Sequence, residues 1–162
     1  MLYTTFHTPI GELLLAGDDS GLRILSMQDA TRPRRIGPDW QRDDASFAAA
    51  RQQLEEYFAG SRETFELELS LRGNPFEQRV WAELLKIPYG ETASYGQIAA
   101  AIGAPSAPRA VGLANGRNPV AVIVPCHRVI GANGSLTGYG GGLERKRYLL
   151  DLEAGVRSLL PA

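Results

Sequence analysis

Three runs near the start of the chain, "LYTTFHTPIG", "ELLLAG" and "GLRILSM", are dense in aliphatic, aromatic and β-branched residues. Asp18, Asp19, Ser20 and Gly21, all turn formers, separate the last two, so the pattern predicts a hairpin or meander of strands. "QDATRPRRIGPDW" has two prolines, three arginines and no apolar period, which predicts a surface loop. From Asp44, apolar Phe47, Leu54, Tyr57 and Phe58 fall at intervals of 7, 3 and 1, one face of a helix that Gly60 ends. "TFELELSL" then alternates apolar with acidic residues and predicts a half-buried strand.

A new unit opens at residues 72–74. Asn74 as N-cap, Pro75 at the first helical position and Glu77 three residues past the cap predict a helix with Phe76, Val80, Leu84 and Ile87 on its core face, stopped by Pro88 and Gly90. Ser94 and Gln97 form a capping-box pattern before "SYGQIAAAI", and Ser106 is placed to cap "APRAVGLAN" up to Gly116. Two short helices, the second with an arginine near its start, are what a helix-turn-helix requires, a pattern common also among plain helical hairpins. "VAVIVP" predicts a buried strand, "GANGSLTGYGGG" a glycine-rich loop without the Gly-Lys-Ser/Thr ending of a phosphate loop, and "LERKRYLLDLEAG" a last helix. On that helix Leu143, Leu150 and Glu153, at spacings of 7 and 3, share the inward side, so Glu153 needs a partner. The fold class expected is α/β and α+β, with an N-terminal domain of antiparallel sheet plus helix over residues 1–72 and a mainly helical domain over 74–157.

Composition adds limits. The chain has 162 residues, 44% hydrophobic and 22% charged, as for an ordinary globular protein. A single cysteine excludes an intramolecular disulfide, and neither a basic leader nor an apolar run of about 18 residues is present, so the expected location is the cytoplasm, away from membranes. Net charge is −1 but uneven: residues 1–74 carry 8 bases and 12 acids, residues 75–162 carry 9 bases and 6 acids. No acid lies between Glu91 and Glu144, whereas Arg109, Arg117 and Arg128 do. Such a stretch suits either a phosphate-facing surface or a buried Ala- and Gly-rich core.

The candidate chemistry sits in Pro125-Cys126-His127-Arg128. A free thiol has a pKa of about 8.5, and a neighbouring cation raises its thiolate fraction near neutral pH. Adjacent residues of a strand face opposite ways, so Cys126 and His127 cooperate only where Pro125 bends the chain. Two roles remain open on these grounds. Cys126 is either a small buried hydrophobe with a structural His127 beside it, or a nucleophile with His127 as base and Glu153 as orienter. One cysteine and two distant histidines have no recognised metal-ligand spacing.

"NPVAVIVPCHRVIG", preceded by "IPYGETASYGQIAAAIGAPSAPRAVGLANGRNP" and followed by "GYGGGLERKRYLLDLE", resembles the O6-alkylguanine-DNA alkyltransferases without a gap from Asn74 to Gly155. The first 70 or so residues match in outline only. The resemblance implies irreversible transfer of the alkyl group of O6-alkylguanine, and of O4-alkylthymine, from duplex DNA to Cys126, one turnover per molecule and no cofactor or metal. It implies that His127, reached through a water and oriented by Glu153, takes the thiol proton, that Arg128 belongs to the surrounding frame, and that Asn118 is a hinge tying the recognition helix to the active-site strand. Arg109 becomes the finger that enters from the minor groove and fills the space of the flipped nucleotide. Tyr95 stacks near that nucleotide and gives a proton to the guanine ring. Val129, Tyr139 and Gly140 join it in the base pocket, and Ser94, Ala110 and Asn115 contact DNA. The partner is lesion-bearing duplex DNA, bound by a monomer capable of cooperative loading. Pro108 and Gly140 depart from the pattern, the first replacing a small residue, the second standing where some relatives have serine.

A cysteine hydrolase of acyl or thioester bonds would use the same Cys126, His127 and Glu153 with an added oxyanion hole. A DNA-binding regulator would use the helix pair and need no thiol.

Overall fold

The computed structural model describes residues 1–155; the expected end of the second domain at residue 157 lies outside them. Strands β1 (Leu2–Thr8), β2 (Gly11–Asp18) and β3 (Gly21–Met27) form the expected meander, and β4 (Gln41–Arg42) adds a short parallel edge, giving the order β3-β2-β1-β4. Leu13, Leu14, Leu15 and Ala16 of the central strand are all fully buried, which is why β2 is an apolar run and does not alternate. A 3-10 turn over Asp44–Phe47 leads into α1 (Ala48–Phe58), so the regular helix starts four residues later than the apolar period predicts. Gly60 ends it at φ 80°, with Ser61 N donating to Glu56 O at 2.9 Å and Gly60 N to Tyr57 O at 3.0 Å.

"TFELELSL" keeps its alternation but is not a regular strand. Phe65, Leu67 and Leu69 are half-buried and Glu66 and Glu68 exposed, yet only Leu69 forms a bridge, to Leu22 of β3. The reason is competition for one edge. Leu22 exchanges hydrogen bonds with Glu68 and Ser70, while Leu25 does so with Pro119 and Ala121, so β3 serves two segments and neither extends into a ladder.

In the second half, α2 (Pro75–Leu84) and α3 (Tyr95–Ala101) both start at complete capping boxes. Asn74 Oδ1 accepts from Glu77 N at 2.8 Å while Asn74 N donates to Glu77 Oε1 at 2.9 Å, and Ser94 and Gln97 repeat the exchange. Helix α4 (Pro108–Gly116) is capped differently from expectation. Ala107 is the N-cap with no side-chain bond, and its N–H closes a turn onto Ala104 O at 2.9 Å, so Ser106 falls outside the helix. Pro108 is the first helical residue, where a missing N–H costs nothing. Val80, Trp81, Leu84, Ile98, Val111 and Ala114 pack between these helices, and Trp81 Nε1 donates to Ala114 O at 2.9 Å.

Helix α5 (Leu143–Glu153) turns a different face inward from the one the leucines predict. Lys146, Leu149 and Glu153 are buried, whereas Leu143 is 49% exposed and Leu150 half-buried. The buried set follows the 3- and 4-residue period of one face, and the polar ends of Lys146 and Glu153 find partners there.

"VAVIVP" is buried, as expected, but it is not a strand. Val120 makes one bridge to Leu25, then the chain turns through Val122 at φ 71°, and Val124 N donates back to Val120 O at 3.0 Å. Pro119 and Pro125 bracket the segment, and neither has an N–H to give a ladder. Past Pro125 a 3-10 turn, Cys126–Arg128, leads to β6 (Val129–Ile130), which pairs in parallel with β5 (Ala93–Ser94) at the mouth of α3. Among the described residues, no helix is long and apolar enough to cross a membrane.

Candidate active site

The bend at Pro125 solves the problem posed by adjacent reactive residues. In a 3-10 turn successive side chains diverge by about a third of a circle, so Cys126 and His127 no longer face opposite sides of a strand. Cys126 is 6% exposed and lines a cavity of about 130 Å³ with Asn115, Asn118 and Tyr139 from its own half and Met27 and Arg32 from the N-terminal half.

His127 is fully buried, and its Nε2 lies 2.7 Å from Glu153 Oε2. Arg128 grips the same carboxylate twice, Nε to Oε1 at 2.7 Å and Nη2 to Oε2 at 2.9 Å, and sends Nη1 to Ile87 O at 2.7 Å. The Tyr57 hydroxyl donates to Oε2 at 2.6 Å and Gly90 N to Oε1 at 3.3 Å. Burial alone would push the Glu153 pKa up, but the hydrogen bonds from His127 and Arg128 outweigh it and hold the carboxyl at about 2. An ionised carboxylate only accepts, so the network assigns the proton of neutral His127 to Nε2. Nδ1 is then an acceptor, and it is buried without a hydrogen-bond partner among the described residues. Burial pushes the His127 pKa down and outweighs Glu153, so the resting ring is neutral and able to take a proton.

Burial likewise pushes the Cys126 thiol up, offset in part by the Asn118 side chain and by the charge of Lys146. The resting pair is therefore thiol and imidazole, and the proton moves when an electrophile approaches. Asn118 spans the turn, giving Nδ2 to Val124 O at 2.8 Å and taking Val120 N on Oδ1 at 3.0 Å. Lys146, with no exposed surface, donates to Val129 O at 2.6 Å and Thr137 O at 2.8 Å, and so fastens the glycine-rich loop to the backbone beyond the thiol.

Of the expected pocket residues, Tyr139 and Gly140 line this cavity, whereas Val129 and Tyr95 are not in its wall. Val129 is fully buried, Tyr139 is half-buried with its hydroxyl enclosed and unpartnered, and Gly140 lines the cavity with open space at its Cβ position. Tyr95, at the start of α3, lies across from Gly112 and gives its hydroxyl to Thr137 O at 3.3 Å. Ser94 caps α3.

Of the expected DNA contacts, Arg109 and Ala110 are exposed on the first turn of α4, and Arg109 has no ion pair among the described residues. Asn115 is not with them: it is 3% exposed and donates Nδ2 to Cys126 O at 3.3 Å, a place under the thiol. The small residues of α4 are divided in the same way. Ala110 faces out, Gly112 faces Tyr95, and Ala114 is buried against Trp81.

Sequence reasoning did not place Tyr57, Lys146 or Met27 in the site. Tyr57 was legible only as one apolar position of a helix face. Lys146 sits seven residues before Glu153, two turns along the same face, which was the available signal.

The geometry is matched by known proteins. Residues 75–155 match the family model described as 6-O-methylguanine DNA methyltransferase, DNA binding domain, and residues 1–71 match 6-O-methylguanine DNA methyltransferase, ribonuclease-like domain. The methylated-DNA–protein-cysteine methyltransferase of Mycobacterium tuberculosis is 60% identical over 152 residues, 93% of this chain and 91% of that protein. The protein of the same name from Methanosarcina acetivorans is 51% identical over 153 residues, 94% of this chain and 98% of its own. The crystal structure of Mycobacterium tuberculosis OGT in complex with DNA superposes with a TM-score of 0.90 at 57% identity, covering 96% of this chain and 94% of that one. With both halves matched and the thiol, imidazole and carboxylate assembled, the chain belongs to the 6-O-methylguanine DNA methyltransferase family.

Proposed function

We propose that this protein repairs alkylated DNA by moving the alkyl group from O6 of guanine, and from O4 of thymine, onto its own Cys126. The observation that carries the reading is the placement of a buried thiol at a cavity, backed by a hydrogen-bonded His127 and Glu153, with the end of α4 (Asn115 and Gly116) in the cavity wall and Arg109 exposed at that helix's start. The names of its relatives, methylated-DNA–protein-cysteine methyltransferases, support it.

The chemistry balances within the site. His127 takes the Cys126 proton through its free Nδ1 and a water, the sulfur attacks the alkyl carbon, and a C–S bond forms as the C–O6 bond breaks with its electron pair leaving on the base. Glu153 stabilises the imidazolium, and a proton returned to the base restores guanine. Tyr95 is the donor to the guanine ring, and Val129, Tyr139 and Gly140 hold the base. A thioether offers no carbonyl to water, so the reaction stops after one turnover.

O6 lies inside the duplex, and reaching it requires extruding the nucleotide at a cost of a few kcal/mol. Arg109 fills the gap from the minor-groove side, with Ser94 and Ala110 against the backbone. The absence of acids between Glu91 and Glu144 suits that phosphate-facing surface. The protein acts as a cytoplasmic monomer, with residues 1–72 and 74–157 as its two domains; the family matches on 1–71 and 75–155 support that division.

The test is intact-mass analysis after incubation with a duplex containing O6-methylguanine. Product should plateau at one methyl group per protein, on the peptide containing Cys126. More product than protein would overturn the single-turnover mechanism.

A further inference from the structure

Tyr57 belongs to α1, in the half of the chain that carries neither the thiol nor the helix pair, and it lies 96 residues before Glu153. Its hydroxyl nevertheless reaches Glu153 Oε2 at 2.6 Å, the same oxygen that lies 2.7 Å from His127 Nε2 and accepts from Arg128 Nη2 at 2.9 Å. The side chain is fully buried, and its ring is held edge-on by Phe58 and Tyr89 at 5.4 and 6.2 Å between centroids and tilted against Phe65 at 5.4 Å. A phenol so enclosed has one orientation for its O–H. Burial, then the Glu153 charge, raise its pKa, so it stays a donor at every pH of interest.

We propose that Tyr57 is a positioning residue of the alkyl-transfer reaction, through which the N-terminal half sets how much negative charge Glu153 presents to His127. The proposal rests on the reading that Cys126 is the alkyl acceptor and His127 its base. Two bonds from Arg128 already fix the orientation of the carboxylate, so the Tyr57 bond is not needed to hold it in place. Its separate effect is electronic. A donor on Oε2 disperses the charge facing the imidazole and limits how far Glu153 favours the imidazolium. Burial aside, among the other charged groups around the network Arg128 and Lys146 push the His127 pKa down by their charge. Tyr89 packs under the Arg128 guanidinium at 5.8 Å, and Lys146 and Tyr139 lie on the side of Cys126. The carboxylate is thus shared between the halves, and the reactivity of the thiol depends on both.

The experiment follows the rate of Cys126 alkylation by O6-benzylguanine from pH 5.5 to 9.5 in the full chain, for the wild type and Tyr57→Phe, with the thermal midpoint of each. Loss of the hydroxyl leaves a more basic carboxylate and a more stable imidazolium, so His127 keeps its proton to a higher pH before it can accept that of Cys126, and the pH of half-maximal rate should rise by about half a unit. A purely structural Tyr57 would lower the thermal midpoint or the plateau rate and leave the pH midpoint in place; that result, or a downward shift, overturns the proposal. Should Tyr57→Phe fail to fold, 3-fluorotyrosine introduced at position 57 keeps the bond and strengthens the donor, and its pH midpoint should fall; an unchanged midpoint overturns the proposal equally. A wild-type protein that never alkylates Cys126 would overturn the parent reading and this one together, whereas normal wild-type transfer with an unmoved variant midpoint overturns this one alone.

Discussion

Lys146 Nζ donates to Val129 O at 2.6 Å, three residues past the thiol, with no exposed surface and no ion pair to a carboxylate among the described residues. An ammonium buried among carbonyls is costly, and burial pushes its pKa down, with the Cys126 charge opposing that. What it offers in return is a fixed positive charge that favours the thiolate and a tether from α5 to the loop at Thr137.

Lys146→Met keeps the stem and removes both functions. The rate with O6-benzylguanine near neutral pH should fall roughly tenfold, the equivalent of about one pKa unit on the thiol. Two carbonyls lose a charged donor, so stability should fall by about 1–3 kcal/mol. Benzylation rates across pH, read beside thermal midpoints, separate the two effects; recovery of the rate at high pH is the expected mark of the lost charge.

Arg109→Ala should separate capture from chemistry. Arg109 is exposed on α4 and outside the cavity that holds Cys126. Reaction with free O6-benzylguanine should stay within twofold of wild type, while methyl transfer from duplex DNA should slow by an order of magnitude or more, since only the duplex has a gap to fill. Single-turnover assays on the two substrates decide it, and equal losses would remove Arg109 from its role.

The Glu153 network has a signature in stability as well. Its carboxyl titrates at about 2 in the folded protein against about 4.5 for the ordinary group. A depressed folded pKa stabilises the fold above the ordinary value, and that contribution disappears as pH falls from about 4.5 to 2. The stability difference between wild type and Glu153→Gln should therefore be flat above pH 5 and shrink by about 3 kcal/mol below it. Urea unfolding at stepped pH measures this directly. The same variant, if folded, should react more slowly at pH 7 and recover part of the loss at pH 9.

Two neighbouring glycines should behave differently. Gly140 has nothing within 4 Å of a Cβ position, so Gly140→Ser should change stability by no more than about 0.5 kcal/mol. A Cβ on Gly141 would overlap Met27 Sδ and crowd the Tyr139 ring, and all three residues line the cavity. Gly141→Ala should displace Met27 and narrow the pocket, costing about 1–3 kcal/mol. Its inactivation by O6-benzylguanine should weaken more than its reaction with the methyl adduct, as competition between the two will reveal.

The parts of this molecule legible in its sequence are those whose causes are local. The Asn74–Glu77 and Ser94–Gln97 boxes start helices where expected because each is satisfied within four residues. The thiol and imidazole stood out because each is nearly unique in composition, and Glu153 because a carboxylate on an apolar face demands a partner. What was illegible depends on distant neighbours. Residues 64–71 and 120–125 have strand patterns, but both compete for the edge of β3, a fact of topology and not of either segment. Asn115 looked like a surface residue of a recognition helix, and only the packing of α4 against the turn turns it under Cys126. Tyr57 carried no polar signal, since an aromatic at a core spacing is usually only core.

Val122 carries one more consequence. A β-branched residue at φ 71° is disfavoured by about 1–2 kcal/mol, so the turn that presents the thiol does not form on its own. Leu25 supplies what is missing, taking Ala121 N on its carbonyl at 3.3 Å and giving its own N–H to Pro119 O at 2.9 Å. The conformation that presents the nucleophile therefore depends on contacts from the meander, so loosening of β3 at Leu25 would disarm a thiol that belongs to the other half of the chain.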